Sequence, residues 1–153
     1  MPEMRKKYII LTVAPLVAVV DQISKFWITR SFYLFESVPV VKNIFHITYV
    51  TNTGSAFSMF SGYGGWLMLM VAAVLALIYV YVSSRADAMP AGSIVAFALI
   101  LGGGTGNLID RIVRGSVVDF LDFRVFPVFN IADTAITCGI SLLVLTSIIK
   151  KNR

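Results

Sequence analysis

The chain has 153 residues, of which 58% are hydrophobic and only 14% charged. Soluble domains carry roughly 45–50% apolar and about 25% charged residues, so an ordinary soluble fold is excluded and one compact integral-membrane bundle is indicated. The net charge of +5 does not point to nucleic acid, because the basic residues gather as Arg5-Lys6-Lys7 and Lys150-Lys151-Asn152-Arg153 with no basic helix face between them. Terminal clusters of this kind meet anionic lipid headgroups and set topology. A single cysteine, Cys138, leaves no internal disulfide and no Cys-based metal cage, and its apolar surroundings predict a packed core thiol. A lone His46 leaves no histidine cluster, so no metal and no cofactor are expected.

In chain order, the first apolar run covers about residues 8–28. Its basic start resembles a signal peptide, but no small-residue cleavage site follows and the run continues through Asp21-Gln22-Ile23-Ser24-Lys25, so it reads as a retained span. Asp21 and Lys25 lie four apart and meet on one helix face as a structural ion pair. Residues 29–65 are too interrupted to span and form an outer cap. Within it Ile44–Val50 is β-branched and aromatic, a short strand, and the TNTGSAFSMF that follows reads as a turn and a stretch lying along the membrane surface. Further spans are expected at about 66–82, 92–112 and 131–149, with an outer loop at about 113–130 that is extended or a short strand. Four spans put both termini on one side. Seven basic residues then fall on that side against four on the other, which makes the terminal side cytoplasmic.

One stretch, Gly102–Asp133, holds Asp110, Asp119, Asp122 and Asp133, four of the eight acidic residues in the chain. Carboxylates beside a hydrocarbon interior cost several kcal/mol unless they are paired or face a wet cavity. Gly102 and Gly106 form a small-residue face for close packing of another helix. The dinucleotide-binding fingerprint fails, because residue 107 is asparagine and no βαβ unit precedes it. Asn107 and Arg111 stack four apart above those glycines, placed to hold a peptide backbone, and Asp110 is free to pair with Arg111 or with loop backbone. Asp119, in apolar company, and Asp133, at the start of the last span, can be brought together by the loop between them. Two carboxylates sharing one site cannot both ionise easily, so one stays protonated while the other acts as a base on water. Separate caps and ion pairs, or the proton relay of a transporter, are the alternatives that spacing leaves open.

The blocks VVDQISK (Val19–Lys25), TNTGSAFS (Thr51–Ser58), GGGTGNLIDR (Gly102–Arg111), VVDFLDF (Val117–Phe123) and FPVFNIAD (Phe126–Asp133) resemble the lipoprotein signal peptidase family (signal peptidase II) over essentially the whole chain. Thr51 stands where many members carry a basic or aromatic residue, and Ser55 where alanine is common. The resemblance implies an all-α integral membrane protein with four transmembrane helices, a small extracytoplasmic β-element and an interfacial helix, built as a single membrane-embedded peptidase domain. It implies an aspartic endopeptidase of the bacterial inner membrane that cuts diacylglyceryl-modified prolipoproteins before the lipid-bearing cysteine. Asp119 and Asp133 would be the catalytic dyad. Asn52, Gly54, Asn107, Arg111, Asn130 and Ala132 would line the substrate site, with Asp21, Lys25 and Asp110 in support. The implied partners are the prolipoprotein substrate and membrane lipids, the implied state a monomer, and the implied site faces outward.

Overall fold

A computed structural model describes residues 2–53 and 64–151. Gly54 and the surface stretch expected after the strand lie outside the described residues. The architecture is mostly helical: α1 (Pro2–Ser31), β1 (Ser37–Val41), β2 (Phe45–Asn52), α2 (Gly64–Arg85), a 3-10 turn (Ala86–Ala88), α3 (Ala91–Arg114), β3 (Val117–Asp122) and α4 (Ile131–Lys151). Among the described residues four helices are long and apolar enough to cross a membrane, at Tyr8–Ser31, Met68–Ala88, Ala91–Arg114 and Ile131–Ile149. Their polar interruptions are few, and a helix satisfies its own backbone groups where no water can.

The third helix is central. In its most apolar stretch 44% of residues are buried within the protein, against 22%, 6% and 17% for the first, second and fourth. Glycines account for its close contacts. A methyl group built on Gly102 would sit 2.6 Å from the Ala14 carbonyl oxygen of α1, and one on Gly106 would sit 2.5 Å from the Asp21 carboxylate. Gly103, on another side of the same helix, abuts the Ala132 carbonyl of α4. Backbone therefore meets backbone on two sides of α3, as small-residue helix faces permit.

Two apolar clusters close the ends of the bundle. Ile10, Val82, Ala86, Ile94 and Leu101 pack around the 3-10 turn, where Lys6 Nζ also donates to the carbonyls of Asp87 (3.0 Å) and Met89 (2.9 Å). Ile28, Val118 and Phe120 pack at the opposite end, beneath the sheet. That sheet is antiparallel, in the order β1-β2-β3. The sequence reading places one strand at 44–50 and leaves 117–129 as loop or strand; the structure has strands at 45–52 and 117–122, and adds β1. Pro39 and the flanking Glu36 and Lys42 obscure β1, but proline is tolerated in an edge strand. Gly115, at φ 74°, ends α3 in the left-handed conformation, its N–H donating to the Arg111 carbonyl (3.1 Å), and turns the chain into β3.

Gly106→Val is expected to lower the stability of the bundle by about 1–3 kcal/mol through overpacking against Asp21. Gly65→Ala, where nothing lies within 4 Å, serves as the comparison, and thermal unfolding in detergent should show a clear loss for the first variant and little change for the second.

Candidate active site

At the sheet end of the bundle, α1, α3, β3 and the start of α4 converge on a buried polar cluster. Its base is Lys25, completely buried on α1. The ammonium reaches the Asp21 carboxylate at 2.8 Å, the Asp110 carboxylate at 3.0 Å and the Asn107 side-chain oxygen at 2.9 Å, which uses all three of its protons. Both carboxylates are also fully buried, and both are tied to backbone elsewhere. Asp21 accepts the Ala132 N–H of α4 (2.9 Å), and Asp110 accepts the Val118 N–H of β3 (3.0 Å). The cationic partners of Asp110 are Lys25 and Arg114, rather than the Arg111 considered from sequence. Gln22, which sequence reasoning passed over, donates to Asp21, to the Gly106 carbonyl and to Asp110 at 3.0–3.2 Å. An amide beside an aspartate inside an apolar run was its only sequence signal.

Above this base, two buried amides hold two further carboxylates. Asn107 Nδ2 donates to Asp133 at 2.8 Å. Asn130 Nδ2 donates to Asp119 at 2.6 Å and lies 3.1 Å from the Asn107 oxygen and 3.3 Å from the Val118 carbonyl. Asn130 also begins α4. Its side-chain oxygen accepts the Asp133 N–H (2.9 Å), and Asp133 accepts the Asn130 N–H (3.3 Å). This is the reciprocal arrangement of a capping box, with aspartate in the place usually held by glutamate. Asp133 is thus both a helix cap and a group presented at the cluster's surface.

Asp119 and Asp133 share one cavity of about 630 Å3, with Asn52, Thr134, Thr137 and Cys138 on its walls. The segment Phe123–Phe129 also lines it, through Phe123, Phe126, Pro127, Val128 and Phe129. Burial pushes the Asp119 carboxyl up from the ordinary 3.8 to about 6, against hydrogen bonds from Asn52 and Asn130 that favour its anion. The charge of Asp133 adds to the upward shift, and Lys25 opposes it. Two carboxyl groups at one partly apolar cavity, one of them holding a proton more readily than usual, can take a proton from water and give one to a substrate atom.

Of the other residues singled out in the sequence, Asn52 lines the cavity, while Asn107, Asn130 and Ala132 are buried behind the two carboxylates. Arg111 lies half-buried, with Nη1 3.4 Å from the carbonyl of Asn107 on its own helix. Gly54 is outside the described residues. Cys138 departs from expectation: it is exposed on the cavity wall, not packed in the core. An apolar neighbourhood in sequence did not reveal that its helix face borders open space. Among the described residues no three His, Cys, Asp or Glu side chains converge to hold a metal ion.

A family model described as Signal peptidase (SPase) II matches residues 13–149. The chain belongs to the signal peptidase II family. It is 44% identical to a lipoprotein signal peptidase of Nostoc punctiforme, over 94% of this chain and 92% of that one. A lipoprotein signal peptidase of Yersinia enterocolitica is 43% identical over 88% and 83% of the respective chains. Two structures of bacterial membrane enzymes solved by the in meso method share the fold. One has a TM-score of 0.82 and 31% identity over 93% of this chain and 88% of that chain, and the other 0.82 and 32% over 90% of each. As a signal peptidase II, the chain is a protease, hence a hydrolase, and its four apolar helices make it a multi-pass membrane protein.

Lys25→Met should destabilise this signal peptidase by about 3–5 kcal/mol, because it strands the Asp21 and Asp110 carboxylates without their shared cation. Adding Asp21→Asn and Asp110→Asn to that variant should recover part of the loss, as read by chemical unfolding of the three proteins under one condition.

Proposed function

We propose that this protein is an aspartic endopeptidase that removes the signal peptide from diacylglyceryl-modified prolipoproteins, cutting on the N-terminal side of the lipid-bearing cysteine. The observation that carries the reading is that Asp119 and Asp133 border one cavity, each held by a buried amide of a single Asn107–Asn130 pair. The relatives named lipoprotein signal peptidase support the substrate class. The cavity also continues past Asp133 along α4 to Thr137 and Cys138, one turn further into the span, where an apolar substrate chain is at home.

In the form of the dyad that reacts, Asp119 is the proton donor and Asp133 the base. Asp133 accepts a proton from water as the water oxygen bonds to the scissile carbonyl carbon, and Asp119 gives its proton to the carbonyl oxygen. The neutral gem-diol then collapses. Asp133 passes its proton to the amide nitrogen, a gem-diol hydroxyl returns one to Asp119, and the C–N bond breaks. The products are the signal peptide's new carboxyl end and the free amine of the lipid-modified cysteine, with the dyad restored. Asn52 steadies Asp119 from β2, and Asn107, Asn130, Ala132 and Arg111 form the frame that holds the dyad against the substrate backbone. Asp21, Lys25 and Asp110 support that frame.

The protein acts as a monomer and a single domain in the bacterial cytoplasmic membrane, its termini cytoplasmic and its site on the outer face. The seven-to-four distribution of basic residues between the two sides supports this orientation.

Asp119→Asn and Asp133→Asn are each expected to reduce turnover of a diacylglyceryl-modified prolipoprotein on the order of 10³-fold or more, measured by gel shift in detergent with chelator present. Full activity in either folded variant would remove that residue from the mechanism. The wild-type kcat/KM should fall as pH rises through about 6, where Asp119 loses its proton. Stability carries the same sign. Because the folded-state value lies above the ordinary 3.8, the folded chain holds a proton that the unfolded chain releases, so this group's contribution is full below about 4 and is lost as pH rises through about 6. Asp119→Asn should therefore melt at a higher temperature than wild type above pH 6, despite its inactivity.

A further inference from the structure

Asp122 has no place in the chemistry just described, yet it is one of the most buried carboxylates in the protein, 4% exposed at the end of β3. Three donors converge on it. Arg124 contributes its backbone N–H to Oδ1 at 2.8 Å and its guanidinium to Oδ2 at 3.0 Å, and the Thr48 hydroxyl of β2 donates to Oδ2 at 2.8 Å. Burial alone would raise this carboxyl, but those hydrogen bonds and the Arg124 charge outweigh it and hold the group below its usual value. The ionised acid can only accept, which orders the polar groups behind it. Thr48 spends its one proton on Asp122, so Ser37 must donate in the 2.7 Å bond between Ser37 and Thr48. Ser37 then has no proton left for the 3.1 Å contact with His46, and His46 Nδ1 must be the donor there. One chain of hydrogen bonds thus runs from β1 across the sheet to Asp122.

What Asp122 grips is the start of the Phe123–Phe129 segment. Arg124 stands at φ 64°, a left-handed conformation that is unfavourable for a non-glycine residue. The doubled contact from Arg124 to Asp122 offsets that cost and turns the chain out of the sheet. The segment returns five residues later. There Phe129 exchanges backbone hydrogen bonds with Leu121 at 2.7 and 3.1 Å, and its ring stacks on Phe123 with centroids 5.8 Å apart. Phe123 in turn packs on Phe45 of β2 at 4.8 Å. The result is a closed loop, pinned at its base, whose side chains supply an aromatic wall of the cavity that Asp133 borders.

We infer that Asp122 is a positioning residue for substrate binding: by clamping Arg124 and anchoring it through Thr48 to the sheet, it sets the shape of the aromatic wall against which the apolar part of the substrate lies. This rests on the reading of the cavity as the peptidase site. Asp122 touches neither dyad carboxylate in the hydrogen-bond network, so its loss should weaken binding without slowing the chemical step.

The test compares full-length wild type with Asp122→Ala, Asp122→Asn, Thr48→Val and Arg124→Ala in detergent, using a diacylglyceryl-modified prolipoprotein, with Asp119→Asn as the inactive control. Asp122→Ala is expected to raise KM about tenfold while kcat stays within about threefold. Asp122→Asn, which keeps an acceptor, should recover part of the affinity, and Arg124→Ala, which keeps the backbone N–H, should be the mildest. Hydrogen exchange read by mass spectrometry should quicken over residues 120–129 in Asp122→Ala and not in Asp119→Asn. An unchanged KM in folded Asp122→Ala, or a fall in kcat alone, would overturn the inference. Should Asp122→Ala not fold, an unchanged KM in both Asp122→Asn and Thr48→Val would overturn it equally. If wild type itself fails to cleave, the peptidase reading falls, and the exchange pattern still decides whether Asp122 shapes the loop.

Discussion

The structure depends on one ammonium group placed where water cannot reach it. Lys25 is costly to desolvate, and the cost is offset only because each of its protons finds an acceptor at 2.8–3.0 Å. Its two carboxylate partners carry the connection outward, Asp21 to the first turn of α4 and Asp110 to the first residues of β3. A single charge therefore joins α1, α3, α4 and the sheet. The glycine face of α3 serves the same contact, since a side chain at Gly106 would occupy the space that Asp21 needs. Packing and electrostatics are one device here: the missing side chains let the helices approach, and the ion network fixes the depth of that approach.

Four buried carboxylates lie within this region, and their surroundings separate them. Asp21 and Asp110 are enclosed by cations, amides and backbone N–H groups and have no face on the cavity. Asp119 has amide donors but, among the described residues, no guanidinium or ammonium in hydrogen-bond contact, and its carboxyl stays easier to protonate. Asp122, gripped by Arg124 and Thr48, is pushed the other way. Side chains of one type are thus given different proton affinities and different tethers by the donors each one meets.

Much of this was legible in the sequence, for physical reasons that differ by element. The four spans followed from length and hydropathy, and a close approach to α3 from glycines four apart, though not that α1 makes it. The concentration of Asp110, Asp119 and Asp133 beside hydrocarbon marked the site, because such charges are expensive without a use. Strand β1 was hidden because Pro39 breaks its pattern, and its pairing depends on β2 rather than on its own residues. The backbone partner of Asp110 was among the options and is found in the Val118 N–H, but its cations were missed because Arg111 is adjacent in sequence, whereas Arg114, one helical turn on, points the same way as the carboxylate. The aromatic wall was out of reach, since it exists only when Phe129 pairs back on Leu121. Cys138 was misread for a related reason: an apolar neighbour in sequence can border a cavity as easily as a core.

The capping box of α4 has a further consequence. The carboxylate of Asp133 holds the Asn130 N–H at the helix start and the Asn107 amide at the same time. A proton arriving on that carboxylate weakens both holds, because a neutral carboxyl is the poorer acceptor. Asp133 thus ties the proton affinity of one side chain to the first turn of its own helix, the turn in which Ala132 meets Gly103.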